Sequence, residues 1–249
     1  AVRDRIGARA AMILLVVTLL GLFLTFIDAG MAGVHRWVTL GPIRLQPASL
    51  LLPLAVWAIA LRPDNIPLTG LGLIIVTTLA LQPDAASATG FALALAAMTF
   101  AGRQIKPAAA VLGMAAIGGA VWAWTRADPL PAVAYVEQVI PTAFSAMPAT
   151  GVAALVAVLL LPLPFGLALA NRRLASRQAV AGLAGLWIGL TISGLLGNYP
   201  VPVVGYGASL VIGWLISLGL IVARRPVSLP QQSLSIGGKD RHSGGRRQS

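Results

Sequence analysis

Four carboxylates and three arginines carry most of the chemistry this sequence offers. The acids are Asp28, Asp84, Asp128 and Glu137; the arginines are Arg36, Arg44 and Arg126. A carboxylate can take a proton from an attacking hydroxyl. A guanidinium can grip a phosphate through parallel N–H groups. Such a set suits an anionic substrate, although no spacing argument selects one acid or one arginine. Cysteine is absent, which excludes disulfides and thiolate metal sites. The two histidines, His35 and His242, cannot make a zinc site without carboxylates.

The richest grouping is Gly33-Val34-His35-Arg36-Trp37-Val38-Thr39-Leu40-Gly41-Pro42-Ile43-Arg44-Leu45-Gln46-Pro47, a polar, turn-rich loop between two strongly apolar segments. Those segments must position it. Apolar residues make up 57% of the chain and charged residues 10%, against about 25% charged in a soluble domain. The chain therefore reads as an all-α integral membrane protein. Apolar runs fall at 11–29, 48–61, 68–82, 86–102, 108–125, 148–170, 178–197 and 207–223, predicting about eight transmembrane helices. A span needs about 17–25 residues, so 48–61 and 68–82 are short and must borrow flanking residues. The basic stretch before the first run resembles a signal peptide, but the run has the length of a span and is read as a helix that stays.

Charge orients the spans. With a cytoplasmic N-terminus, fifteen of the 18 basic residues fall in cytoplasmic segments and only Arg36, Arg44 and Arg126 fall outside, as the positive-inside rule requires. Both termini are then cytoplasmic. The net charge of +11 is explained by the membrane, and nucleic acid is not a partner. Residues 1–226 form one polytopic domain, and 227–249 read as a disordered basic tail suited to anionic headgroups. Pro53, Pro162, Pro164, Gly118-Gly119 and Gly194 interrupt spans, which membrane helices tolerate. Gly182, Gly185 and Gly189 lie at helical spacing and predict close helix packing.

Three loop motifs, in order, carry a resemblance. They are Gly33-x-x-Arg36-Trp37-Val38-x-Leu40-Gly41 with Leu45-Gln46-Pro47; Leu81-Gln82-Pro83-Asp84; and Pro202-Val203-Val204-Gly205-Tyr206-Gly207-Ala208-Ser209. Together they resemble the signatures of the SEDS (FtsW/RodA/SpoVE) family over roughly residues 11–225. The resemblance implies a bacterial cytoplasmic-membrane protein of peptidoglycan assembly, in division or cell-shape control. Its activity would be polymerisation of a lipid-linked sugar beside a class B penicillin-binding protein. Family members usually have ten spans, so the first span here would match the family's third. The substrate-binding candidates are Arg36, Trp37, Arg44, Gln46, Asp84, Arg126, Tyr206 and Ser209. The cofactor is left open, with a divalent cation suggested by the resemblance alone.

The departures bear on activity. After Gln-Pro the family has Ser/Ala-Glu and then a Lys three residues beyond the Glu; those positions here are Ala48, Ser49 and Leu52, so both charges are gone. Removing both partners of an ion pair is far cheaper than removing one. Setting Leu130-Pro131 on the family's Leu-Pro puts Ala134 at the His position and Val136 at that of the catalytic Asp, with Glu137 one residue beyond. Glu137 and Asp128 are thus the candidate bases if the chain is a glycosyltransferase. Bland roles compete throughout: interfacial anchoring for Arg36 and Trp37, a cap or turn for Asp84 and Asp128, a span exit for Asp28, an interfacial helix around Glu137, and loop structure for Tyr206. Three functions remain open: a trimmed glycosyltransferase, a non-catalytic precursor-binding or scaffold protein, and a transporter or flippase. The last fits least, because ionisable residues are scarce inside the spans.

Overall fold

The computed structural model describes residues 2–102, 105–171, 176–205 and 207–223. Tyr206 and the tail 227–249 lie outside them. Ten helices and one small hairpin are found among the described residues: α1 (Val2–Ile27), β1 (Val38–Leu40), β2 (Ile43–Leu45), α2 (Pro47–Leu61), α3 (Ile66–Leu81), α4 (Ala85–Ala101), α5 (Pro107–Trp124), α6 (Val139–Ala146), α7 (Pro148–Leu160), α8 (Leu163–Ala170), α9 (Arg177–Leu196) and α10 (Ala208–Val222).

Every predicted apolar run is helical. Four stretches are long and apolar enough to cross a membrane: Gly7–Ile27, Pro107–Trp124, Pro148–Ala170 and Arg177–Leu196. Four shorter apolar helices, α2, α3, α4 and α10, pack with them. The architecture is that of a multi-pass membrane protein, and the large exposed side chains on α1, α5 and α7 are the surface that lipid would cover. One hydrophobic core runs through α1–α5 and α8–α10. A second, small cluster joins Ile140, Val158 and Val201, so α6 and α7 sit at the margin.

Local chemistry sets the boundaries. Asn65 caps α3 by accepting from the Leu68 N–H at 3.0 Å, and Asp84 caps α4 by accepting from the Ser87 N–H at 3.0 Å. Pro47, Pro107 and Pro148 open their helices, where a missing N–H costs nothing. Pro162 and Pro164 break one span into α7 and α8. The Phe165 N–H bonds the Pro162 carbonyl, and the Leu161 carbonyl takes the Trp214 indole N–H at 3.3 Å instead. A neighbouring helix thereby satisfies a backbone group in a setting without water.

The glycines at helical spacing do what their spacing predicts. A Cβ on Gly189 would lie 2.6 Å from Gly90 Cα, one on Gly182 would meet Met98 and Val56 at 2.7 Å, and one on Gly185 would collide with the Leu93 carbonyl. Helices α4 and α9 therefore touch backbone to backbone, and this seam is the spine of the bundle.

Candidate functional site

The loops 28–46, 82–84, 125–138 and 197–205 meet at one end of the bundle. Arg36 is at their centre and only 4% exposed. One terminal nitrogen donates to Asp128 Oδ2 at 2.8 Å, and the other donates to the Pro83 carbonyl at 2.5 Å. The guanidinium lies 5.0 Å from the centre of the Tyr199 ring, a cation–π arrangement. Its Nε is buried without a partner. Burial works against the charge, but Asp84 and Asp128 more than offset it and hold the guanidinium above the usual arginine range. Burial also pushes the Tyr199 phenol up, against the opposing pull of Arg36.

The three loop motifs converge beside Arg36. Asp84, fully buried, receives the Gln46 side-chain amide at 3.1 Å. The Gln46 backbone N–H donates to Ser209 Oγ at 2.9 Å, across 163 residues of sequence. Ser49 donates to Gln46 Oε1 at 2.7 Å. Gln82 ties the cluster to α1, donating to Thr25 Oγ1 at 2.6 Å and to the Leu22 carbonyl at 3.1 Å. Of the sequence candidates, Arg36, Gln46, Asp84, Asp128 and Ser209 are thus brought together. Tyr199 belongs with them and was not anticipated; an aromatic in a Gly-Asn-Tyr-Pro turn was the available signal.

The other candidates are placed elsewhere. Trp37 and Arg44 line a separate cavity of about 110 Å³ with Asp28. Arg126 is exposed over the Trp122 ring. Glu137 faces a cavity of about 310 Å³ with Gln138, Asn198 and the end of α9, and neither Arg36 nor Asp84 lines it. One Glu137 oxygen accepts the Val133 N–H at 2.8 Å, so the residue caps a turn ahead of α6. Asp128 is a turn residue too, accepting the Leu130 N–H at 3.1 Å, but its side chain is only 13% exposed and belongs to the ion pair. Val136 contributes its carbonyl to the Val201 N–H at 3.2 Å, which ties the loop before α6 to that after α9. At the replaced Glu and Lys positions, Ser49 is buried and hydrogen-bonded to Gln46, and Leu52 packs into the core. Among the described residues no three His, Asp or Glu side chains cluster to hold a metal.

The loop after α1 is a β-hairpin, pairing Val38 with Leu45, Thr39 with Arg44 and Leu40 with Ile43. Gly41 takes φ +60°, as a two-residue turn of this kind requires at its first central position. Asp28 anchors it by accepting the Thr39 N–H at 2.8 Å and the Gly30 N–H at 3.2 Å. Those backbone donors, Thr39 first, hold the Asp28 carboxyl below the usual carboxylate range. A depressed pKa means the anchor is complete above the unfolded value and is lost as pH falls through the folded one. The Thr39 and Gly30 amide resonances should therefore shift together, with a midpoint below 3.8. A midpoint at or above that value would remove the anchoring role.

No family model and no curated protein matches the chain by sequence. Two solved structures match it by shape. Both are crystal structures of the rod shape determining protein RodA of Thermus thermophilus, one of them a single-substitution mutant. The mutant aligns with a TM-score of 0.59 at 24% identity, the other with 0.58 at 23%, and each alignment covers 88% of this chain and 78% of the other. At this identity the likeness concerns the fold, and it agrees with the loop motifs found in the sequence. The chain is a multi-pass membrane protein with a SEDS-like fold of the RodA type.

Proposed function

We propose that this chain is a SEDS-like protein of peptidoglycan assembly in the bacterial cytoplasmic membrane, holding a lipid-linked sugar precursor at its outer face. The observation that carries the reading is the convergence of three distant loop motifs on Arg36, Gln46, Asp84 and Ser209 at one end of the bundle. The distribution of basic residues supports placing that end outside and both termini inside. The likeness to a rod shape determining protein supports a role in cell shape, and a class B penicillin-binding protein would be the corresponding partner.

Holding suits the geometry better than polymerising. A general base needs a carboxylate within reach of the attacking hydroxyl. Asp84 is committed to Gln46 and Ser87, and Asp128 to Arg36 and Leu130. A diphosphate offers Arg36 the charge-assisted acceptors that Asp128 now provides, so precursor binding would displace Asp128 and move the loop it belongs to. The second reading, a glycosyltransferase, rests on Glu137, whose own cavity of about 310 Å³ has room for a sugar.

Lipid II offered to the purified protein, with and without a class B penicillin-binding protein, separates the two. The expected result is binding without glycan product. Arg36→Lys, which keeps the charge but loses the planar fork, should weaken binding by about tenfold. Glycan that forms and disappears in Glu137→Gln would establish the enzyme instead. Neither product nor binding would leave the resemblance to the fold alone.

A further inference from the structure

We infer that the cavity beneath the β1–β2 hairpin is a binding site for the headgroup of a zwitterionic aminophospholipid, with Arg44 taking the phosphate and Asp28 the primary ammonium. This site is separate from the Arg36 cluster and does not rest on the function proposed above.

The cavity, about 110 Å³, is lined by Asp28, Met31, Trp37, Thr39 and Arg44 among others. It opens where α1 ends. Ile27, the last residue of that apolar helix, is 81% exposed, and the hairpin tip presents Leu40 and Ile43 at 59% and 56%. Apolar side chains on both flanks with a half-buried Trp37 between them mark the level where hydrocarbon gives way to headgroups, the depth that Trp favours.

Both charges are available there. Arg44 is exposed, and its hydrogen bond goes to Met31 Sδ at 3.1 Å, a weak acceptor that leaves most of its five donors free. Asp28 accepts two backbone N–H groups, about half of what a carboxylate can accept. The two side chains form no ion pair with each other among the described residues. Asp28 grips the Thr39 N–H and Thr39 lies directly opposite Arg44, so both charges flank the same cavity, with Arg44 near enough to act on the Asp28 carboxylate without contacting it. An anion site and a cation site flanking one small cavity match a phosphate ester joined to an ammonium group.

The match is selective. Phosphatidylglycerol supplies the phosphate but leaves Asp28 facing an anionic lipid without a counter-charge. Phosphatidylcholine supplies both charges, but its quaternary nitrogen has no N–H to donate and is bulkier than the cavity favours. Phosphatidylethanolamine supplies three N–H donors on a compact nitrogen.

The test is lipid retention by the full chain, released from detergent micelles holding equal amounts of the three lipids and read by native mass spectrometry. Phosphatidylethanolamine should be retained about tenfold over the other two. Arg44→Gln should reduce its retention by about tenfold, with Arg44→Lys recovering most of it. Asp28→Asn, which keeps an acceptor for Thr39, should erase the preference over phosphatidylglycerol. Thermal unfolding without added lipid confirms that each variant is folded. Equal retention of the three lipids, or a preference that survives both Arg44→Gln and Asp28→Asn, would overturn the assignment.

Discussion

Arg36→Ala is expected to destabilise the folded bundle by about 3–5 kcal/mol, because it strands one partner of a buried ion pair. Asp84 is fully buried and Asp128 13% exposed on its side chain, and both lose the cation that offsets them. In a chain of this size the loss corresponds to a fall in melting temperature on the order of 10 °C, measured by thermal unfolding in a single detergent. The control is Arg126→Ala. That arginine is exposed on the same end of the bundle, so its loss should change stability by no more than about 0.5 kcal/mol. The cost should also be asymmetric. Combining Arg36→Met with Asp128→Leu removes both charges of the pair and should recover part of the loss. If Arg36→Ala melts with Arg126→Ala, the guanidinium is not the centre of the cluster, and the precursor-binding reading loses its anchor.

The spans were legible because lipid leaves the chain few choices. Backbone groups must pair within the segment, so each long apolar run had to be a helix, and the runs called short, 48–61 and 68–82, are the short helices α2 and α3. The hairpin was less visible. Its strands have three residues each, too few for an alternating pattern. Only Gly41-Pro42 between Val-Thr-Leu and Ile-Arg-Leu hinted at it. One loop motif serves two places: Arg36 enters the buried cluster while Trp37, one residue before β1, lines the cavity beneath the strands. The Arg36–Asp128 pair, 92 residues apart, could not be read from spacing, because loop geometry rather than periodicity brings the two together.

The seam between α4 and α9 is where a single side chain should do most damage. Gly189→Leu is expected to prevent recovery of folded protein. A Cβ there meets Gly90 Cα at 2.6 Å, Gly90 N at 2.9 Å and the Thr89 carbonyl at 3.0 Å. All three are backbone atoms of a packed helix and cannot swing aside. Gly189→Ala already overfills the contact and should cost at least the upper part of the about 1–3 kcal/mol typical of overpacking; leucine adds three more carbons with nowhere to go. Gly166→Ala is the matched control, since nothing lies within 4 Å of its Cβ position. It should purify and melt like the parent. The effect should reach the site as well. Helix α4 begins at the Asp84 cap and α9 ends just before Tyr199, and these residues approach Arg36 from two sides. Whatever Gly189→Ala protein is recovered should therefore bind lipid II more weakly than the Gly166→Ala control. Gly189→Leu protein that melts and binds like the parent would mean that the two backbones are not in contact, and that the cluster is held by its loops alone.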